Sequence, residues 1–241
     1  MISLVKQQRF PTFSKSILII VGGYGSGKSE VAVNLSRHLV TTGTAPVAIA
    51  DLDIVNPYFR SREAAKQLEA LGIRVINPGG GQAYADLPII LPEIKGAIEQ
   101  RQGMVVLDVG GDDVGARVLS SLAKSFEENA YEMLLVLNAN RPFTSHVDGC
   151  LKMLNEIEAA SRLKFTGIVS NTHLLEETTV QTILDGLTLA RKVSGRSGLP
   201  VKFVSGLKTV LECDELDELE IPVLPLERRL LKPWETNAGG E

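Results

Sequence analysis

The stretch SILIIVGGYGSGKSEVAVNL, residues 16–35, decides how this chain is read. A short apolar run, Ile17 to Val21, meets a glycine-rich loop, and a segment with helical spacing follows. Gly22, four residues, then Gly27-Lys28-Ser29 fit the pattern G-x-x-x-x-G-K-[ST], a phosphate-binding loop set between a strand and a helix. Backbone N–H groups must converge on phosphate oxygens there. The loop therefore needs residues that tolerate unusual dihedrals and allow close approach, which Gly22, Gly25 and Gly27 supply. Gly23, Ser26 and Glu30 complete the candidate contacts. The helix that starts at Lys28 points the positive end of its dipole at the same anion. Lys28 is expected to reach the β- and γ-phosphates, and the Ser29 hydroxyl to ligate Mg²⁺. The alternative is a glycine-rich turn with a chance lysine, and the strand–loop–helix context argues against it.

Outward from this loop, apolar runs recur: APVAIADLD, GIRVINPGGG, GMVVLDVGGDD, YEMLLVLNAN, LKFTGIVSNTH and LPVKFVSGL. They are rich in Val, Ile and Leu without clean alternation, the pattern of strands covered on both faces. Amphipathic stretches lie between them, over about 28–42, 60–71, 91–102, 112–128, 144–161 and 177–194. In the last of these, Val180, Ile183, Leu184, Leu187 and Val193 share one helical face. The alternation predicts an α/β fold: a doubly wound, mostly parallel sheet flanked by helices, a Rossmann-like three-layer sandwich. The whole of 1–241 reads as one domain, with 1–15 as an N-terminal extension and 235–241 as a frayed tail. Ligands of such sheets bind outside the carboxyl ends of the strands, so the polar strand ends are the places to search.

Two further strand ends carry acids. In AIADLDIVNPYFRSRE, Asp51 and Asp53 alternate around Leu52, placed to bind Mg²⁺ or to orient an attacking water; a turn-forming aspartate pair is the plainer reading. In MVVLDVGGDDVG, Asp108 follows four apolar residues, as an acid holding Mg²⁺ through its hydration shell should. Asp108-Val109-Gly110-Gly111 also fits the D-x-x-G pattern of nucleotide switches.

The 241 residues are 44% hydrophobic and 22% charged, an ordinary globular balance. A net charge of −4 argues against constitutive binding to nucleic acid or to an anionic membrane. No run approaches the ~20 apolar residues of a spanning helix, and the first residues lack the apolar core of a signal peptide. Cys150 and Cys213 stand far apart, and His38, His146 and His173 form no spaced pair, so neither a disulfide framework nor a zinc site is indicated. A cytoplasmic location is expected.

The three motifs, in this order, resemble the ParA/MinD/CobQ/CobB class of P-loop NTPases (the SIMIBI class) over most of residues 16–205. VNPYFRSRE, residues 55–63, matches a pattern of uncharacterised ATP-binding members of that class. The resemblance implies that Asp51 or Asp53 positions or activates water, Asp51 ahead of Asp53, and that the segment after the second strand is the first switch. Two departures matter. Where ParA and MinD carry a second loop lysine that reaches across a dimer, this chain has Gly23; Arg60 and Arg62 are possible substitutes. Where related GTPases carry N-K-x-D, the segment IVSNTHLL keeps Asn171 but has Leu174 for the aspartate, so the resemblance implies that Asn171 meets adenine and that ATP is favoured over GTP.

Other features have plainer readings. The loop 77–98 reads as a surface loop or, through Gly79 to Gly81, as a second anion site or a lid, with Leu87 to Leu91 a candidate contact for a partner. Arg141 is a loop arginine or a nucleotide or partner contact, and Thr144 or Ser145 caps the next helix. The acidic run 211–225 is a solvated turn or helix. Taken together these point to a Mg²⁺-dependent ATP/ADP-binding protein, an ATPase whose nucleotide state switches contact with a protein partner or a second copy. The alternatives are a small-molecule kinase or amide-forming ligase of the CobB/dethiobiotin-synthetase type, a GTPase metallochaperone, and a nucleotide-gated scaffold without turnover.

Overall fold

Strands and helices alternate along the chain as the apolar runs predict. The computed structural model describes residues 10–43, 46–53, 62–76, 87–100, 103–126, 130–213, 216 and 219–228. The order is β1 (Ile17–Gly22), α1 (Lys28–Thr41), β2 (Val47–Asp51), α2 (Arg62–Ala70), β3 (Ile73–Ile76), α3 (Leu87–Gln100), β4 (Met104–Gly110), α4 (Asp113–Leu122), β5 (Tyr131–Leu137), α5 (Val147–Ser161), β6 (Gly167–Ser170), α6 (Val180–Ser197), β7 (Val201–Leu207), α7 (Lys208–Leu211) and β8 (Val223–Leu226). Arg60, most of the first switch, residues 77–86 of the glycine-rich loop and the tail 235–241 lie outside the described residues, as does the side chain of Arg62.

The strands form one sheet in the order β3-β2-β4-β1-β5-β6-β7-β8, and every described pairing is parallel. Parallel strands buried on both faces explain the near-continuous apolar runs. On β1, Ile17, Ile19 and Val21 enter the core on one face, with Ile94 and Ile98 of α3, Leu119 of α4 and Leu154 of α5. Leu18 and Ile20 enter the other, with Val31 and Leu35 of α1, Leu68 of α2 and Phe203 of β7. This is the period of two expected of a pleated strand. The face foreseen on α6 is the one it buries: Ile183, Leu187 and Val193 are in the core, and Val180 and Leu184 pack beside them.

Chain direction across the sheet reverses at β1, whose neighbours are β4 and β5. The register brings the ends of the three motif-bearing strands level: Gly22 lies beside Gly110, and Asp51 beside Asp108. The phosphate loop and both acidic strand ends thus meet at the place where such sheets bind ligands.

The structure corrects three expectations. Residues 87–98, read as part of a surface loop or lid, belong to α3, whose Ile94 and Ile98 are buried in the core. Residues 223–226, read with the acidic run as turn or helix, are an eighth strand paired to β7 through Val204↔Val223 and Leu207↔Leu226. Pro225 masked it; β8 is an edge strand, where a residue lacking a backbone N–H is tolerated. Neither Thr144 nor Ser145 caps α5. The N-cap is His146, and Thr144 turns its hydroxyl inward to donate to the Asn138 carbonyl at 2.7 Å. Among the described residues no helix is long and apolar enough to cross a membrane.

Candidate functional site

The loop between β1 and α1 is built from its own backbone. Ser26 N–H donates to the Gly23 carbonyl at 3.0 Å, and Gly27 caps α1 with φ of 80°, a conformation that a side chain would strain. Lys28 and Ser29 are the first two residues of α1, and each is only 6% exposed. The Ser26 hydroxyl is buried without a hydrogen-bond partner.

The three aspartates gather on Lys28. Asp53 Oδ2 lies 2.6 Å from Lys28 Nζ. Asp51 Oδ1 accepts the Asp53 N–H at 2.9 Å, so Asp51 also shapes the turn that delivers Asp53. Asp108 is 0% exposed, and neither of its oxygens accepts a well-formed hydrogen bond. Burial pushes its carboxyl up to about 6, against a downward pull from Lys28 and the Ser29 hydroxyl and a further upward push from Asp53. Burial alone would lower the pKa of Lys28, but the combined field of Asp108, Asp53 and Asp51 outweighs it and holds the ammonium above its ordinary range. A buried, hydrogen-bond-starved carboxylate beside the Ser29 hydroxyl is an oxygen donor pair suited to a hard divalent cation.

The second acidic strand end is locked to the loop. Gly111 N–H donates to the Gly22 carbonyl at 3.0 Å, and a Cβ on Gly111 would stand 2.6 Å from Gly22 C. Only glycine allows that approach. Its N–H is thus engaged with the loop backbone, while Asp112 caps α4 by accepting from Val114 and Gly115 N–H.

A second set of braces was not foreseen. Asn171 is buried; its Nδ2 donates to the Ser26 carbonyl at 2.8 Å, and its Oδ1 accepts from Ser205 Oγ at 2.9 Å. Arg141 Nε and Asn138 Nδ2 both donate to the Gly25 carbonyl, at 2.8 and 3.2 Å. His173 leaves its buried Nε2 without a partner, and burial, reinforced by Arg141, pushes its pKa down to about 4, so it is neutral near pH 7. The sequence signal was present: asparagines close the runs YEMLLVLNAN and GIVSN, where a strand end meets the loop in space. What it lacked was the pairing partner, which is backbone.

A cavity of about 450 Å³ opens beside the loop. Gly25, Gly27, Lys28 and Ser29 line it, as do Leu175, Leu207 and Leu226 and the ion pair of Glu176 with Arg228. Glu30 and Asn171 are also on its wall, whereas Gly22, Gly23 and the three aspartates are not. The volume is within the range of small-molecule sites.

No protein-family profile matches the sequence, and no curated protein matches it. Solved structures do. The cell division protein FtsY of Thermotoga maritima is 22% identical over 84% of this chain and 65% of its own, with a TM-score of 0.50. FtsY of Mycoplasma mycoides is 16% identical over 83% and 62%, with a TM-score of 0.51. The signal recognition particle receptor FtsY of Elizabethkingia anophelis, in complex with GDP, is 19% identical over 80% and 57%, with a TM-score of 0.50. The chain spans less than two thirds of the length of these neighbours. What it shares with them is the fold, an α/β architecture of the P-loop NTPase kind.

Proposed function

We propose that this chain binds ATP and ADP with Mg²⁺ and hydrolyses ATP, its nucleotide state switching contact with a protein partner or a second copy. One observation carries the reading: the buried Lys28 ammonium and the buried Asp108 carboxylate, which accepts no well-formed hydrogen bond, converge at the head of α1, beside a cavity of nucleotide size. Gly22, Gly23, Gly25, Ser26, Gly27 and Glu30 form or flank the cradle for the phosphates, and Lys28 supplies the point charge. Ser29 and Asp108, with Asp53 nearby, would hold Mg²⁺, which neutralises charge on the phosphates when bound.

Asp53 pairs with the Lys28 ammonium. A polyphosphate in the cradle competes for that charge. Asp53 is then released toward the solvent side of the loop, where it or Asp51 can orient water. Asp53 is the first residue of the expected first switch, 53–62, so exchanging carboxylate for phosphate at Lys28 would be a local event with a route to a partner surface. Asn171 supports the cradle from below and lines the cavity, the position from which it would also approach a base.

The test is calorimetric titration of the full chain with ADP, a non-hydrolysable ATP analogue and GDP, each with Mg²⁺. Tighter binding of the adenine nucleotides, with different heats for di- and triphosphate, supports the reading. Failure of all three to bind removes it, and preference for GDP transfers it to a GTPase. Phosphate release at a rate dependent on protein concentration would tie turnover to self-association.

A further inference from the structure

We propose that Glu176 and Arg228 read the polar edge of the nucleobase, in place of the aspartate that Leu174 displaces. The inference rests on the nucleotide reading above and adds which residues choose the base.

Arg228 Nη1 donates to Glu176 Oε1 at 2.7 Å, joining two cavity-lining residues that lie far apart in sequence. Both line it, together with the apolar side chains of Leu175, Leu207 and Leu226. The cavity wall thus combines apolar side chains with this hydrogen-bonded charged pair, a combination that suits a flat heteroaromatic ring with one polar edge.

Both members are held from behind. Glu176 sits in the short turn Leu175–Glu177 after β6, where Leu175 adopts a φ of 56°, a left-handed conformation unusual for leucine. Thr178 pins that turn: its hydroxyl accepts the Leu174 N–H at 2.9 Å and donates to the Leu175 carbonyl at 2.6 Å. Arg228 follows Glu227, which is clasped to α1. Asn34 Oδ1 accepts the Glu227 N–H at 3.0 Å, Asn34 Nδ2 donates to the Glu227 carbonyl at 3.1 Å, and Arg37 pairs with the Glu227 carboxylate at 3.0 Å. Asn34 is itself buried, two turns along the helix that begins at Lys28. The helix that holds the phosphates therefore also holds the base-end arginine. A surface ion pair has no need of such support, and strained backbone at a pocket is commonly kept for a ligand.

The chemistry selects adenine. Its N6 amine is a donor next to the N1 acceptor. A carboxylate and a guanidinium side by side offer the matching acceptor and donor. Hypoxanthine presents the reverse order, an O6 acceptor next to an N1–H donor, and guanine does the same with a further amine. The Glu176 side chain is 77% exposed and that of Arg228 26%; a ring packed on the leucines and bonded to the pair would cover both.

The experiment is titration of the full chain with Mg²⁺ and ADP, IDP, GDP or pyrophosphate, for the natural sequence and for Glu176→Gln and Arg228→Ala. Each substitution should weaken ADP by about fivefold to tenfold, a charged hydrogen bond discounted for partial exposure. Pyrophosphate should be unaffected. Glu176→Gln should also draw the ADP/IDP ratio toward one, because an amide offers donor and acceptor together. Unchanged ADP affinity in both variants, an unchanged ADP/IDP ratio, or equal weakening of ADP and pyrophosphate overturns the proposal. So does a natural chain that prefers GDP. Pyrophosphate binding without any gain from the base overturns it while the phosphate-loop reading stands; a chain that binds neither removes both.

Discussion

Replacing Asp108 by asparagine should make the empty protein relatively more stable as pH rises, while removing its response to Mg²⁺. The carboxyl ionises near pH 6 in the folded chain against an ordinary 3.8. Because the folded pKa is raised, the folded state holds the proton more tightly than the unfolded chain does. Below about pH 4 both states are protonated and the group is neutral to stability. Between about pH 4 and pH 6 the unfolded chain ionises first, so stability falls with rising pH; above about pH 6 the loss is complete. The shift of about two units corresponds to about 3 kcal/mol, of which about 2 kcal/mol accrues between about pH 4.5 and 7.5. Asparagine has nearly the shape of the protonated acid and cannot ionise. Its melting temperature relative to the natural chain should therefore climb by about 4–8 °C over that interval, measured in chelator without nucleotide. The stabilisation by Mg²⁺ with ADP, present in the natural chain above about pH 6, should be lost in the variant. Two melting curves that run parallel across the pH range would refute the claim that Asp108 is a penalised, cation-awaiting charge.

Other outcomes follow from the same geometry. Lys28→Ala should abolish diphosphate binding and also lower the melting temperature at neutral pH, because Asp53 and Asp108 lose their buried countercharge, at a cost of about 3 kcal/mol; binding without Lys28 would remove the phosphate-loop assignment. Gly111→Ala forces a Cβ into the backbone of Gly22 and Gly23 and breaks the hydrogen bond to Gly22, so thermal melts should show a loss of about 1–3 kcal/mol, together with weaker pyrophosphate binding by calorimetry. Asn171→Ala should leave the Ser26 carbonyl and the Ser205 hydroxyl unpartnered, destabilising by about 1–3 kcal/mol in denaturant titration and weakening ADP and pyrophosphate alike. Equal loss for both ligands would mark Asn171 as a brace of the loop, and loss confined to ADP as a reader of the base.

What could be read from the chain alone divides along a physical line. Gly22 to Ser29 is a contiguous motif whose function depends on its own backbone, so spacing suffices to find it. The strands carrying Asp51 and Asp108 are legible because parallel burial demands unbroken apolar runs, and an acid at the end of such a run stands out. Asn138, Arg141, Asn171 and Ser205 are different: each serves the loop by bonding to it or to one another across the sheet, and no local pattern distinguishes an asparagine that caps a strand from one that holds a distant carbonyl. The charged pair on the cavity wall is harder still. Glu176 is hidden among ordinary exposed acids, and Arg228 follows an edge strand that Pro225 disguised. Both matter only because β8 closes the sheet beside β7, carrying Glu227 onto α1 and Arg228 onto the turn after β6. The proposed phosphate end of the site is thus written in sequence order and the proposed base end in sheet order. It follows that substitutions in β8, remote in sequence from the loop, should alter which base is held without altering how tightly phosphate is held.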